Sequence, residues 1–290
     1  MAARRDRSSA LPDRRHNDPA DEGHLSVPTN ATTLRELVVS VAGNRRRMGV
    51  IARALCCAVF VTPLLRWAIV SHSVSAGRSW RRTCPRCATP LGPSRDTVSL
   101  TPRARCGICG QRLGPPPWTV ELVFVASLAL LVAAGMRDLT LIAFGWWSAV
   151  GTVLMFVDLA VQRLPARLCY LAVGGLSVVL LGQAAATHVL EPWLRLVFGA
   201  LGSAAVVAVC SLATPATVRW GDVRFALAVG GAAAWVGWLA LYATAMLATL
   251  APAALGVGLV VARRATFKTH LPQGPFWYSA ALVVVALIGA

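Results

Sequence analysis

The sequence predicts an all-α polytopic membrane protein of about eight transmembrane helices, with a small four-cysteine loop between the first two. Three observations carry that expectation. The 290 residues are 56% hydrophobic and 14% charged, with a mean hydropathy of +0.62, whereas a soluble domain carries roughly 25% charged residues. Several apolar runs approach the roughly 20 residues needed to cross a hydrocarbon core about 30 Å thick. Two closely spaced cysteine pairs stand in a polar stretch after the first run. An ordinary soluble enzyme is excluded.

Residues 1–47 are polar, with nine Arg and six acids, and are expected to form a disordered basic tail. The first apolar run lies too far from the first basic residues for a secretory signal. Residues 48–71 form the first expected span, 72–117 the cysteine loop and 118–290 the main membrane domain. The further spans are expected near 118–136, 139–157, 168–187, 193–213, 225–241, 243–262 and 275–290. Pro252 is tolerated inside a membrane helix whose neighbours satisfy the freed carbonyl. A turn near Tyr242 divides 225–262, because a single helix of that length would overrun the bilayer.

Basic residues in short loops favour the cytoplasmic side. From residue 72 onward, fifteen Arg and Lys fall in one set of loops, whereas only Arg137 and Arg195 fall in the other. The cysteine loop is therefore expected inside and the N-terminus outside. Arg45, Arg46 and Arg47 conflict with that assignment, and a translation start at Met48 would remove the conflict. The formal charge of +16 suits contact with anionic headgroups and does not require nucleic acid.

Cys84-Pro-Arg-Cys87 and Cys106-Gly-Ile-Cys109 have the spacing at which two tight turns can each grip a tetrahedral zinc with two thiolates. Two disulfides or redox pairs are the alternative, disfavoured in a cytoplasmic loop. Four cysteines leave zinc no open position, so its expected role is structural. Cys56, Cys57, Cys169 and Cys210 lie in or beside apolar runs and are expected to act as small hydrophobic residues.

Five carboxylates remain after Trp118, and two are informative. Asp158 ends the third expected span, in Phe156-Val157-Asp158-Leu159. Asp222 precedes the sixth, in Trp220-Gly221-Asp222-Val223-Arg224. Two crossings separate them, and two more lead back from Asp158 to the cysteine loop, so all three are expected on one face. Acids at membrane depth are costly and tend to mark function. Two that approach each other can share a proton. Helix capping by Asp222, or pairing of the acids with Arg163, Arg167, Arg219 or Arg224, is the structural alternative.

The order CxxC, CxxC, an apolar span opening with Glu121-Leu122, Asp158-Leu159-x-x-Gln162-x-Leu164-Pro165, Gly221-Asp222-Val223-Arg224 and finally Gly274-Pro275-Phe276 resembles the bacterial prepilin peptidases, GxGD-class aspartic peptidases. The resemblance runs from about Met48 to the end. It implies a multi-pass inner-membrane enzyme that cuts the leader from type IV prepilins or pseudopilins on the cytoplasmic side. It also implies that Asp158 and Asp222 are the catalytic pair, with Gly221 supporting them. Many members also methylate the new N-terminus with S-adenosylmethionine.

The chain departs from that pattern at three places. Arg219 stands where the family usually has the first Gly of GxGD, Ala166 where it often has Asp after Leu-Pro, and Arg224 where it has Lys. Two other function classes are compatible with the residues: a zinc-ribbon membrane adaptor with structural acids, and a transporter whose acids bind protons or cations. His72, His188 and His270 are expected to be solvated, as are His16 and His24 in the tail. Trp146, Trp147, Trp193, Trp235, Trp238 and Trp277 are expected to pack or anchor spans. Gly230 and Gly231 point to close helix packing.

Overall fold

The computed structural model describes residues 60–74, 79–91, 102–213, 219–264 and 271–289, with the isolated positions 49, 58 and 266. The expected tail, the Met48 start, Cys56 and Cys57 lie outside these residues. Among the described residues the chain is helical, with α1 over 60–72, α2 Thr119–Ala133, α3 Asp138–Val161, α4 Ala166–Thr187, α5 Glu191–Ala213, α6 Trp220–Val236, α7 Trp238–Val261 and α8 Gly274–Ile288.

The helix count agrees with expectation, but the lengths divide the helices into two groups. Helices α3, α4, α5 and α7 have 22–24 residues and are apolar and long enough to cross a membrane. Helices α2 and α8 have 15 residues each and α6 has 17. At 1.5 Å per residue, 15 residues reach about 22 Å, short of a full hydrocarbon core. The turn expected near Tyr242 falls at Gly237, whose extended backbone (φ 167°, ψ 164°) separates α6 from α7. Helix α6 begins at Trp220 rather than 225, so Asp222 lies in its first turn. Helix α3 runs past residue 157 to Val161 and stops at Gln162, which adopts the left-handed conformation (φ 50°).

Helices α3, α4, α6 and α8 surround the main core, in which Phe144, Trp147, Leu176, Phe225 and Tyr278 are buried. Trp147 Nε1 donates to Ala228 O at 3.0 Å, joining α3 to α6. Helices α5 and α6 approach through small residues. A Cβ on Gly230 would collide with Ser203 and lie 2.9 Å from the Gly199 carbonyl oxygen, and a Cβ on Gly199 would collide with Ala234. Backbone is part of the obstruction, so a rotamer change cannot relieve it. Gly230→Ala is expected to destabilise the bundle by about 1–3 kcal/mol, read as a lower unfolding temperature in detergent.

Helix α8 is fixed in register on α3. The Tyr278 ring lies where a Gly151 side chain would be, and its hydroxyl donates to Ser127 Oγ of α2 at 2.9 Å. Four residues earlier on the same face of α8, Gly274 meets Asp158, seven residues after Gly151. Separately, α1 is tied to α2 by Arg66, 1% exposed, whose Nε and Nη2 both donate to the Glu121 carboxylate. Removing one partner of such a buried pair would strand the other charge.

Candidate active site and metal centre

A polar cavity of about 610 Å³ lies at one end of the bundle. The end of α3 contributes Asp158 to it, and the α3–α4 turn contributes Gln162, Arg163, Leu164 and Pro165. The start of α6 contributes Arg219, Gly221, Asp222 and Arg224. His72, Val74 and Trp80 close it from the segment that leads into the cysteine loop. The three elements expected on one face are thus gathered at one end, and Asp158 and Asp222 line the same cavity.

Each acid has one oxygen held by backbone. Asp158 is 5% exposed, and its Oδ2 accepts the Gly274 N–H at 2.8 Å. Gly274 opens α8, so this N–H is one of the donors that a helix leaves unsatisfied at its start. Asp222 Oδ2 accepts the Arg219 N–H at 2.9 Å, a carboxylate reaching back to its own N-cap. The capping alternative is therefore partly realised for Asp222. Among the described residues neither acid forms an ion pair, and Oδ1 of each makes no hydrogen bond to protein.

Two glycines set the spacing. A Cβ on Gly221 would approach Leu164 Cβ to 3.2 Å, so glycine lets the start of α6 settle against the Leu164-Pro165 turn. A Cβ on Gly274 would stand 2.9 Å from Asp158 Oδ2. The guanidinium of Arg219 reaches across instead of crowding the acids, and its Nη1 donates to Gln162 O at 2.7 Å. The cation thereby meets a carbonyl at the C-terminus of α3, the negative end of the helix dipole, and joins the two segments that carry the acids.

The four loop cysteines form a second cluster. Their sulfurs all lie within 4.8 Å of one another, and Cys84–Cys109 and Cys87–Cys106 are each 3.6 Å apart. A metal–sulfur distance of about 2.3 Å gives a tetrahedron with edges of roughly 3.8 Å, whereas a disulfide requires about 2.05 Å. The cluster can hold a metal ion. It is built from two copies of one turn, 22 positions apart. Cys84 N–H donates to Thr89 O and Cys106 N–H to Gln111 O, both at 2.8 Å. Ala88 and Gly110, each following a second cysteine, have φ of 55° and 66°. The turns aim all four sulfurs inward, against Val70, Leu91 and Leu113.

The unmetallated thiols are not equivalent. Hydrogen bonding from the Thr89 hydroxyl, then from its backbone, draws Cys87 down to about 6. Cys109 has a lowering backbone hydrogen bond from Gln111, but burial and the neighbouring sulfurs push it up to about 11. Binding of a metal would displace the protons that the thiols carry.

Trp80 was not singled out by the sequence, and His72 was given no role at the site. His72 lines the cavity, with Nδ1 2.8 Å from Ala68 O and its ring 4.7 Å from that of Trp80. The Arg167 guanidinium carbon lies 5.7 Å from the Trp80 ring centre. Trp80 also lines a second cavity of about 1160 Å³ beside the cysteine loop, together with Arg81, Arg82 and Phe156. The available signal was one aromatic side chain amid the charges that precede Cys84.

The chain is similar to curated proteins named prepilin leader peptidase/N-methyltransferase. It is 27% identical over 216 residues to that of Aeromonas hydrophila, covering 68% of each chain. It is 30% identical over 209 residues to that of Aeromonas salmonicida strain A449, covering 68% of this chain and 67% of the relative. It is also 30% identical over 216 residues to that of Burkholderia pseudomallei strain 1026b, covering 68% and 63%. No family model matches the chain, and no solved structure does.

Proposed function

Because this chain belongs to the prepilin leader peptidase/N-methyltransferase family, we propose that it removes the leader of type IV prepilins or pseudopilins by aspartic catalysis, with Asp158 and Asp222 as the hydrolytic pair. The observation that carries this reading is the shared cavity: two carboxylates from distant helices line one polar chamber, each with one oxygen held by a backbone N–H. The held oxygens fix orientation, and Oδ1 of each acid is left to meet water and substrate.

In the proposed step, one ionised carboxylate takes a proton from water as the water oxygen attacks the scissile carbonyl carbon. The other acid, protonated, donates to the carbonyl oxygen. When the tetrahedral species collapses, the C–N bond breaks, and the proton taken from water passes to the departing amine. No covalent enzyme intermediate is needed. In this reading the cavity faces the cytoplasmic side of the bacterial inner membrane: the family supplies the membrane, and the excess of basic residues in the loops on that side supports the orientation.

Cys84, Cys87, Cys106 and Cys109 would hold zinc with no open coordination position, so the metal would order the loop and take no part in hydrolysis. S-Adenosylmethionine would supply an electrophilic methyl group for the new N-terminal amine. The larger cavity offers that donor an aromatic face at Trp80 and cations at Arg81 and Arg82. Val74 and Trp80 line both this cavity and the polar chamber, so hydrolysis and methylation would proceed in adjoining spaces.

The test is digestion of a full-length prepilin by purified enzyme, with products read by mass spectrometry. The metal-loaded parent is expected to release the leader and, given the methyl donor, to methylate the new N-terminus. Enzyme stripped by a chelator is expected to lose order over residues 79–91 and 102–112 and to lose methylation more than cleavage. Full methylation by metal-free enzyme would overturn the structural role of the cysteine centre, and an uncut prepilin would overturn the peptidase reading.

A further inference from the structure

We propose that an apolar groove between α5, α6 and α7 seats the membrane segment of the substrate and presents the adjoining peptide bond to Asp222. This rests on the reading of Asp158 and Asp222 as the hydrolytic pair. The groove encloses about 620 Å³ and is lined almost wholly by apolar atoms. Asp222 lines both this groove and the polar chamber. An occupant that uses the two spaces together must be polar on one side of Asp222 and apolar on the other. A prepilin, with its charged leader joined to an apolar helix, has that chemistry.

A second observation distinguishes a polypeptide from an acyl chain. Thr244, on α7, lines the groove and is 2% exposed, yet its hydroxyl has no hydrogen-bond partner among the described residues. Hydroxyls in membrane helices ordinarily turn back onto their own helix. Thr249 does so to Ala245 O at 2.9 Å, and Ser203 to Gly199 O at 2.7 Å. A buried hydroxyl without a partner is costly, and a substrate group able to hydrogen-bond would satisfy it where a hydrocarbon tail could not. The α5 wall is also cut back at Gly202, where an added Cβ would meet nothing within 4 Å. That open space is room for an entering side chain.

Gly202→Leu would project into the groove from a position where an added Cβ meets nothing within 4 Å. It is expected to raise KM for full-length prepilin about tenfold, and to do so far more than for a short peptide that spans the cleavage site but lacks the apolar helix. Thr244→Val is expected to weaken prepilin binding about threefold, with Thr244→Ser restoring it. Gly182→Leu on α4, where a side chain also meets open space, is the control and should leave prepilin cleavage at the parent rate.

A photo-crosslinker in the apolar segment of prepilin, trapped on Asp158→Asn enzyme, should label residues of α5 and α7 around Gly202 and Thr244. Labelling confined to other helices would overturn the proposal. So would an unchanged KM in Gly202→Leu, or a lipid that native mass spectrometry finds still in the groove with prepilin bound. If the Asp variants still cut while the crosslinks map to the groove, the hydrolytic assignment fails and the docking site stands. If the Asp variants are dead and Gly202→Leu behaves as the parent, the reverse holds.

Discussion

Asp158→Asn and Asp222→Asn are each expected to lower prepilin cleavage by about a thousandfold or more. Asn matches Asp in shape and retains a carbonyl oxygen. It can still accept the N–H of Gly274 at position 158 or of Arg219 at position 222, so the fold and the cavity should persist. What disappears is the capacity to take a proton from water and to return one to the substrate. The loss should therefore appear in kcat, with unfolding temperature near that of the parent. Methylation of a substrate already freed of its leader should survive, since the amine no longer has to be released. A variant that cuts at the parent rate would exclude its acid from the chemistry.

Gly274→Val is expected to lower kcat about a hundredfold while leaving KM close to the parent value. The added Cβ would stand 2.9 Å from Asp158 Oδ2, 3.0 Å from its Cβ and 3.2 Å from its Cγ, so the carboxylate must shift. Tyr278 holds α8 against α2 and α3, which limits how far the helix can withdraw. A displacement on the order of 1 Å suffices for such a loss when a catalytic group must meet its partner in register. Gly274→Ala places the same Cβ with no further branches and should fall between the two. Steady-state kinetics on prepilin would report the split between kcat and KM. Parent kinetics in the Val variant would show that the contact with Asp158 has no positioning role.

Local spacing made the cysteine centre legible in the sequence, because each turn is specified within a few residues. The two acids could be assigned to one face by counting crossings, since α4 and α5, which lie between them in the chain, are long apolar runs. What remained hidden depends on partners far apart in sequence. Asp158 takes its hydrogen bond from Gly274, 116 positions away, and Arg66 finds Glu121 across 55 positions. Hydropathy is nearly continuous through residues 225–262, so it could not locate the break, which backbone geometry places at Gly237. It also missed the first turn of α6, where Gly221, Asp222 and Arg224 are too polar to extend an apolar run.

Arg219 illustrates the limit of motif comparison. From sequence, Arg219 is only a departure from the glycine that the family usually has there. In the fold its guanidinium binds Gln162 O, which turns the departure into a link between the two segments that carry Asp158 and Asp222.

Whether the two carboxylates act as one unit is tested most directly by a double-mutant cycle, in single-turnover cleavage of prepilin by the parent, Asp158→Asn, Asp222→Asn and the combined variant. The combined variant is expected to fall within about threefold of the slower single variant, because removing either acid already dismantles the unit. Losses that multiply, or a single variant that retains parent activity, would contradict that expectation.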